Sequence, residues 1–138
     1  MIDIQLVETP LDAQAALAAA ISDAAGGLVQ FVGTVRNQTK GKRVLRLEFE
    51  AYAPMAISEM RKIAEQAVEK WPVLHISILH RVGVLQVGEI PVVITVACAH
   101  RGAAFEAGQF AIDTLKENVP IWKKEIFEDG ETWVSAHP

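Results

Sequence analysis

The positions of apolar residues predict alternating strands and helices along the first part of the chain. Residues 2–6 alternate between apolar and polar, as a half-buried strand does. Asp12 can cap the alanine-rich helix that is expected to follow, as far as about Ala24. The pair Gly26 and Gly27 is expected to end that helix.

The next segment predicts two strands and an amphipathic helix. Residues 28–35 and 44–52 have the composition of strands, and the polar loop 37–41 between them indicates a hairpin. Pro54 suits the first turn of a helix. The stripe expected to be buried on that helix is Ala56, Ile57, Met60, Ile63, Ala64, Ala67, Val68 and Trp71.

The second half of the chain predicts one further helix among strands. An alternating strand is expected over residues 73–82, a turn around Gly83 and Gly88, and a buried β-branched strand over residues 91–99. A helix then begins at Gly102 and is stopped by Pro120. Its apolar stripe is Ala104, Phe105, Gly108, Ala111, Ile112, Leu115 and Val119. The closing strands are expected over 121–127 and 131–135, antiparallel about Asp129 and Gly130.

Helices separated by hairpin-like strand pairs favour the α+β class over a doubly wound parallel sheet. The length of 138 residues, with 51% apolar and 22% charged residues, predicts one folded domain over residues 1–138 and excludes disorder. No apolar run approaches the length of a membrane span, and the N-terminus lacks the design of a signal peptide, so we expect a cytoplasmic protein that does not bind membranes.

The lone cysteine and the charge balance exclude several classes of site. Cys98 has no second cysteine with which to form an intramolecular disulfide or a cysteine-rich zinc site. The sequence offers no obvious metal site, and no cofactor is expected. The net charge of −4 argues against a nucleic-acid binder. Basic residues nevertheless cluster in three places, which indicates a pocket for a small anion. The clusters are Arg36, Lys40, Lys42, Arg43 and Arg46; His100 and Arg101; and Lys116, Lys123 and Lys124.

Two groups of residues near the third helix could carry chemistry. His100 and Arg101 lie where a buried strand meets a helix N-terminus, a place where backbone N–H groups favour a phosphate; the alternative is ordinary surface charge. Lys116 falls beside Phe105 and Ile112 on a helical wheel, so its ammonium is expected to be partly desolvated, as proton transfer requires. The alternative is a stem that covers the core edge while the head reaches water.

Strand alternation places Ile121, Lys123 and Glu125 on one face of the strand expected over 121–127. Lys123 and Glu125 are then neighbours, either as part of a site or as a surface ion pair. Cys98 and His100 share a face of the preceding strand, so a cysteine–histidine nucleophile competes with a small buried thiol.

Several motifs in a fixed order resemble the molybdopterin synthase large-subunit family. The resemblance runs from about residue 2 to Val134. Its motifs are Gly33-Thr34-Val35-Arg36, Leu47-Glu48-Phe49-Glu50-Ala51-Tyr52, His80-Arg81-Val82-Gly83, Gly88-Glu89, His100-Arg101, Ala104-Phe105-Glu106-Ala107 and Pro120-Ile121-Trp122-Lys123-Lys124-Glu125. Several separate motifs in one order are more specific than any single one.

The resemblance implies an α/β hammerhead-type fold, with antiparallel sheets and about three helices, in a homodimer within a heterotetramer. Each end of the dimer would hold a small ubiquitin-like sulfur-carrier subunit. The implied reaction is sulfur transfer from the carrier's C-terminal Gly-Gly thiocarboxylate to cyclic pyranopterin monophosphate, twice, giving the molybdopterin dithiolene. The sulfur would then arrive on the partner rather than on Cys98.

The resemblance also implies roles for particular residues. Lys116 and Lys123 match the family's catalytic lysines. The residues implied to bind the pterin and its phosphate, or to line the same site, are Thr34, Val35, Arg36, His100, Arg101, Lys116, Lys123, Lys124 and Glu125, with Phe31 as a looser candidate for an apolar wall. The competing class is a non-catalytic anion-binding or adaptor domain with the same fold, against which the intact Lys116 and Lys123 weigh.

Overall fold

Three helices and nine strands make up residues 1–135, the part of the chain that the computed structural model describes. The helices are α1 (Ala13–Ala20), α2 (Ala53–Lys70) and α3 (Arg101–Asn118). The strands are β1 (Ile2–Val7), β2 (Gly27–Gly33), β3 (Gln38–Thr39), β4 (Lys42–Ala51), β5 (Val73–Arg81), β6 (Gly83–Gln86), β7 (Val92–Cys98), β8 (Ile121–Phe127) and β9 (Gly130–Ser135).

The first sheet has the strand order β1-β5-β7-β2 and is covered by helices on both faces. On one face, Val93 and Leu79 pack with Ala16 of α1. On the other face, Ile94 belongs to the main core with Ala64 of α2 and with residues of α3. Because both faces are covered, β5 is buried from His75 to His80 instead of alternating between core and solvent as its sequence predicted.

The second sheet is built around β4. One edge of β4 pairs with β8, which in turn pairs with β9, and its other edge pairs with β6 and β3. The predicted antiparallel pair at the end of the chain is confirmed as β8 and β9, which meet at Gly130 with φ 149°. The segment between Gly83 and Gly88, expected to be only a turn, contains the short strand β6.

The predicted hairpin of residues 28–35 with residues 44–52 is wrong. β2 pairs with β7 in the first sheet, whereas β4 belongs to the second. β4 instead forms a tight hairpin with β3, because Lys40 (φ 50°) and Gly41 (φ 79°) adopt the left-handed conformations that a two-residue turn of this hand requires.

The helices follow their sequence signals with three exceptions. On α2, Ile57 and Val68 were expected on the buried stripe but are 40% and 41% exposed. Asp12 caps α1 by accepting from the Ala15 N–H at 3.0 Å, as predicted, but the helix ends at Ala20, well before Gly26. Phe105, expected on the buried stripe of α3, is 62% exposed. The core stripe of α3 passes through Ala107 instead.

The predicted α+β class with about three helices is confirmed, with one amendment. The sheets are not wholly antiparallel, because β1 and β5 run parallel. Within residues 1–135, no helix combines the length and apolar character needed to cross a bilayer.

Gly27 provides a test of how closely β2 approaches the start of α3. A Cβ at Gly27 would lie 2.9 Å from the Arg101 Cα, whereas a Cβ at Gly102 would meet nothing within 4 Å. Gly27→Ala should therefore lower the free energy of unfolding by about 1–3 kcal/mol, since backbone atoms must move. Gly102→Ala should leave it unchanged or raise it by up to about 1 kcal/mol. Urea unfolding of the two variants gives the comparison, and equal stabilities would contradict this packing.

Candidate active site

A cavity of about 470 Å³ lies where the two sheets meet the last turns of α3. One wall is the end of β2 and the residues after it, including Phe31, Thr34 and Arg36. Phe31 is 38% exposed, so its aromatic ring is accessible at this wall. The family resemblance had implied Phe31 as a candidate for an apolar wall. Strands β4, β5 and β8, the start of β7 and helix α3 supply the remaining walls.

The floor of the cavity comes from the pairing of β4 with β8. Phe49 lies directly opposite Lys123, and Leu47 lies opposite Glu125. Directly opposed residues of antiparallel strands project to the same face. Lys123 therefore shares its face with two buried apolar side chains, Leu47 and Phe49, which also line the cavity.

Three cationic side chains reach this cavity from three different elements. Arg36 comes from the segment after β2, Lys116 from the last turn of α3 and Lys123 from β8. Arg36 and Lys116 are exposed, whereas Lys123 is half-buried. Such a set attracts an anion, because charges of one sign that line the same cavity add up to a positive potential there.

Lys123 is the lysine whose charge the protein disfavours. Burial lowers the pKa of Lys123, and the neighbouring positive charges of Arg36 and Lys116 lower it further. The carboxylate of Glu125 opposes this by raising it, but the net pKa lies below that of an ordinary lysine. A neutral amine is therefore more accessible at position 123 than at a solvated lysine.

The expectation that Lys116 is the partly desolvated lysine is wrong. Lys116 is exposed, and Ile112 alone of the two predicted neighbours lines the same cavity. Phe105 lies three turns earlier on α3 and faces a separate groove beside Trp71. A helical wheel shows the direction in which each side chain projects but not its position along the axis. Phe105 and Lys116 project in similar directions, but they are too far apart along α3 for Phe105 to cover Lys116.

Arg36 is held at the cavity by a backbone clamp on its neighbour Val35. The Val35 N–H donates to the Glu89 carbonyl at 2.9 Å, and the Gly88 N–H donates to the Val35 carbonyl at 2.8 Å. The Val35 side chain is buried in the core, so its contribution is to anchor Thr34 and Arg36 on either side. Val35 does not itself line the cavity.

The clamp is braced by Glu89. Its carboxylate accepts from the Gln86 N–H at 2.6 Å and from Arg81 Nη1 at 3.3 Å. These hydrogen bonds, that from Gln86 first, lower the pKa of Glu89. The family motif Gly88-Glu89 thus has a local physical role in fixing the loop that holds Val35.

The first basic cluster of the sequence is divided by the fold. Lys42 pairs with Asp129 at 3.7 Å, Arg43 with Glu128 at 2.9 Å and Arg46 with Glu48 at 3.1 Å. Of the cluster, Arg36 alone lines the cavity within the described part of the chain.

Lys124 and Glu125 occupy opposite faces of β8. Glu125 is 6% exposed, and its Oε2 has no hydrogen-bond partner within residues 1–135. It lies on the Lys123 face, beneath the cavity. Lys124 points to the other face and forms an ion pair with Glu131 at 3.6 Å, so one chain does not bring it to the cavity.

His100 and Arg101 lie far from this cavity within one chain. His100 precedes the first residue of α3 and Arg101 is that residue, whereas Lys116 lies in its last turn. Fifteen residues of helix separate Arg101 from Lys116 by about 22 Å. Both His100 and Arg101 are exposed, so they are available to a second molecule.

The structure gives no support to a cysteine–histidine nucleophile. Cys98 is fully buried as the last residue of β7, while His100 is exposed beyond the strand. Burial raises the pKa of the Cys98 thiol. A thiol held protonated inside a core is a poor nucleophile.

His80 is a cavity residue that the sequence did not single out. It lies near the end of β5, is 2% exposed, and packs edge-on against Phe49 with ring centroids 5.6 Å apart. Its signal in the sequence was only its place in the His80-Arg81-Val82-Gly83 motif.

The donor chemistry of the cavity suits an anionic organic ligand. Arginine offers a planar fork to phosphate oxygens, lysine offers ammonium donors, and Phe31 and Phe49 offer aromatic surface. Among residues 1–135, no group of three or more His, Cys, Asp or Glu side chains is arranged to hold a metal ion.

Comparisons with known proteins identify the family. A family model described as "MoaE protein" matches residues 6–118. The chain is 53% identical over 113 residues to a human protein named molybdopterin synthase catalytic subunit, covering 82% of this chain but 60% of the human one. It is 46% identical over 130 residues to the subunit of the same name from Bacillus subtilis, covering 94% of this chain and 83% of the relative.

A solved structure agrees with these relatives. The X-ray structure of molybdopterin synthase from Staphylococcus aureus matches with a TM-score of 0.89 and 43% identity over 94% of each chain. The resemblance read from the sequence motifs is thereby confirmed. The chain belongs to the MoaE protein family.

Proposed function

We propose that this chain is the catalytic subunit of a molybdopterin synthase and acts as a sulfurtransferase in molybdenum cofactor biosynthesis. Its substrates would be cyclic pyranopterin monophosphate and the C-terminal Gly-Gly thiocarboxylate of a small ubiquitin-like carrier. The names of the human and Bacillus subtilis relatives support the assignment. The chain would act as a single domain in the cytoplasm, without a metal or cofactor of its own.

The single observation that carries the proposal is the convergence of Arg36, Lys116 and Lys123 on one cavity with an aromatic wall. A phosphorylated pterin has both features that such a cavity would recognise, a flat ring and an anion. The thiocarboxylate is also an anion, so the same cations can receive it. A non-catalytic anion-binding domain would have no need of a lysine with a lowered pKa.

The reaction that we propose needs no external oxidant or reductant. In one transfer the thiocarboxylate sulfur adds to a carbonyl carbon of the substrate side chain, and the carbonyl oxygen leaves as water. In the other, the sulfur displaces a carbon–oxygen bond of the cyclic phosphate, and that oxygen stays on the phosphate. After each step the carrier is attached as a thioester. Water cleaves the acyl–sulfur bond, which leaves sulfur on the pterin and a carboxylate on the carrier. Over two transfers, two carbon–oxygen bonds of the substrate are replaced by two carbon–sulfur bonds. The new oxygen of each carrier carboxylate comes from water, so two waters are consumed and one is released, with no change in oxidation state.

The two lysines suit different tasks in this scheme. Lys123, half-buried beside Glu125, can exchange a proton with the substrate because its amine can lose its charge. Lys116, which is exposed, can stabilise negative charge on the acyl and phosphate oxygens as a fixed cation. Glu125 would keep Lys123 oriented and limit the fall of its pKa.

His100 and Arg101 enter the proposal through a second copy of the chain. A distance of about 22 Å along α3 prevents them from reaching the substrate held by Lys116 of the same chain. We expect a homodimer, within a heterotetramer with the carrier, in which these two residues approach the partner's phosphate. Thr34 and Arg36 would contact the pterin phosphate from within the chain.

Substitution of the two lysines tests the proposal and its division of labour. Wild type, incubated with thiocarboxylated carrier and cyclic pyranopterin monophosphate, should form the dithiolene product, detected by mass spectrometry. Lys123→Arg should be nearly as slow as Lys123→Ala in single turnover, by on the order of 10²- to 10⁴-fold, because a guanidinium stays protonated. Lys116→Arg should retain more activity than Lys116→Ala, since it preserves the charge.

The control is Lys62→Ala, which removes an exposed lysine of α2 that pairs with Glu59 at 3.2 Å, and this variant should react at the wild-type rate. Absence of product from wild type would refute the proposed function. A Lys123→Arg variant that reacts as fast as wild type would refute only the proton-transfer role.

Replacement of the lone cysteine separates this proposal from a thiol mechanism. Cys98→Ser should keep the full rate of sulfur transfer, because the sulfur arrives on the carrier and Cys98 is enclosed in the core. Its free energy of unfolding should fall by about 1–3 kcal/mol, as expected when a hydroxyl replaces a buried thiol. Loss of activity by a variant with a native circular dichroism spectrum would contradict the carrier as sulfur donor and would favour a mechanism in which Cys98 is the nucleophile.

A further inference from the structure

His80 is a buried, titratable group in the cavity that the proposed mechanism does not use. It extends from the end of β5 between the two sheets and meets the edge of Phe49 from β4. A histidine in this setting needs a reason, because burying an imidazole without satisfying its nitrogens costs free energy. Its two ring nitrogens have different surroundings.

The tautomer of His80 is set by its own backbone. Nδ1 lies 2.9 Å from the Arg81 carbonyl oxygen. A carbonyl oxygen can only accept, so Nδ1 must carry the proton and donate it. In the neutral ring the lone pair therefore resides on Nε2, which has no hydrogen-bond partner among residues 1–135.

The ring is kept neutral by its position. Burial lowers the pKa of His80 to about 4, more than the hydrogen bond to the Arg81 carbonyl raises it. The charged groups that line the same cavity are Arg36, Lys116 and Lys123, all of them cationic. At neutral pH, His80 consequently presents an acceptor, and it is too weak a base to compete with Lys123 for a proton in catalysis.

The cavity would otherwise be dominated by side chains that only donate. Ammonium and guanidinium groups have no acceptor, and they recognise the anionic part of a ligand. A pterin also carries N–H groups on its ring, which need acceptors once they leave water. A fixed neutral acceptor among the cations would distinguish a pterin phosphate from other phosphates.

We propose that His80 is a specificity-determining residue whose Nε2 accepts a hydrogen bond from an N–H group of the pterin ring. The inference rests on the proposed function, since it assumes that the pterin occupies this cavity. The Arg81 carbonyl and Phe49 fix the orientation of the ring, so the acceptor is in place before the substrate arrives.

Two substitutions of His80 separate the acceptor from the shape of the ring. His80→Asn keeps a donor near the Arg81 carbonyl but loses the atom at the Nε2 position. His80→Gln reaches farther and can offer its amide oxygen there. His75→Gln is the matched control, because His75 lies on the same strand but does not line the cavity. Its Nε2 is buried and has no hydrogen-bond partner in the part of the chain that the structure describes.

The affinity for cyclic pyranopterin monophosphate, measured by calorimetry with the full chain, is the first readout. His80→Asn should weaken binding by about tenfold, as expected for one lost hydrogen bond, whereas His80→Gln and His75→Gln should stay within about threefold of wild type. The rate at saturating substrate should change little, because the contact exists before the reaction as well as during it. Circular dichroism identifies any variant that does not fold.

Nitrogen-15 NMR of wild type tests the inference without any variant. At neutral pH, Nδ1 of His80 should be protonated and Nε2 should not, and the Nε2 resonance should shift when the pterin phosphate is added. A protonated Nε2, or one that does not respond to bound ligand, would overturn the proposal. Equal losses of affinity in folded His80→Asn and His80→Gln would overturn it as well, in favour of ring shape.

The outcomes keep this inference apart from the function on which it rests. If wild type binds no pterin phosphate, the proposed function fails and the contact with His80 fails with it. If wild type binds and converts the pterin but His80→Asn binds it equally well, only the inference about His80 fails.

Discussion

The antiparallel pairing of β4 with β8 is the constraint on which the cavity depends. It places Lys123 opposite Phe49, so a charged side chain stands on an apolar floor. Burial then lowers the pKa of Lys123, and the convergence of Arg36 and Lys116 from other elements lowers it further. A shift of one residue in this register would turn Lys123 to the opposite face of the sheet, and the cation cluster would lose its buried member.

The crowding of like charges is opposed by groups that lie just outside the cavity. Glu125, buried on the Lys123 face, supplies the compensating negative charge. The clamp of Gly88 and Glu89 on Val35 fixes the backbone next to Arg36. Glu125 and the clamp on Val35 both lie next to the cations, as expected of a site that is arranged before the ligand binds.

Local patterns predicted the elements well, and the partners of those elements poorly. The helix that ends before Pro120, the β-branched run of β7 and the turn at Gly130 each lie within a short segment, so the sequence was enough to predict them. β2 was correctly read as a strand, but its partner is β7, more than sixty residues away. No periodicity within a strand encodes that choice.

The same limit explains which site residues could be predicted. A helical wheel shows the direction in which Lys116 projects but not how exposed its side chain is. The burial of Lys123 depends on its pairing with β4, which the sequence of β8 does not contain. The neutrality of His80 likewise depends on enclosure between two sheets. His100 and Arg101 were grouped with the site by motif, and one chain alone does not bring them there.

The most direct test of this account is the titration of Lys123 in the folded protein, followed by the ¹³Cε chemical shift of its side chain. Lys123→Arg identifies its resonance by removing it. We predict that Lys123 titrates at a clearly lower pH than the solvated lysines, and that Arg36→Ala moves its titration upward by removing a neighbouring positive charge. A Lys123 that titrates together with the surface lysines, and is unaffected by Arg36→Ala, would contradict the account.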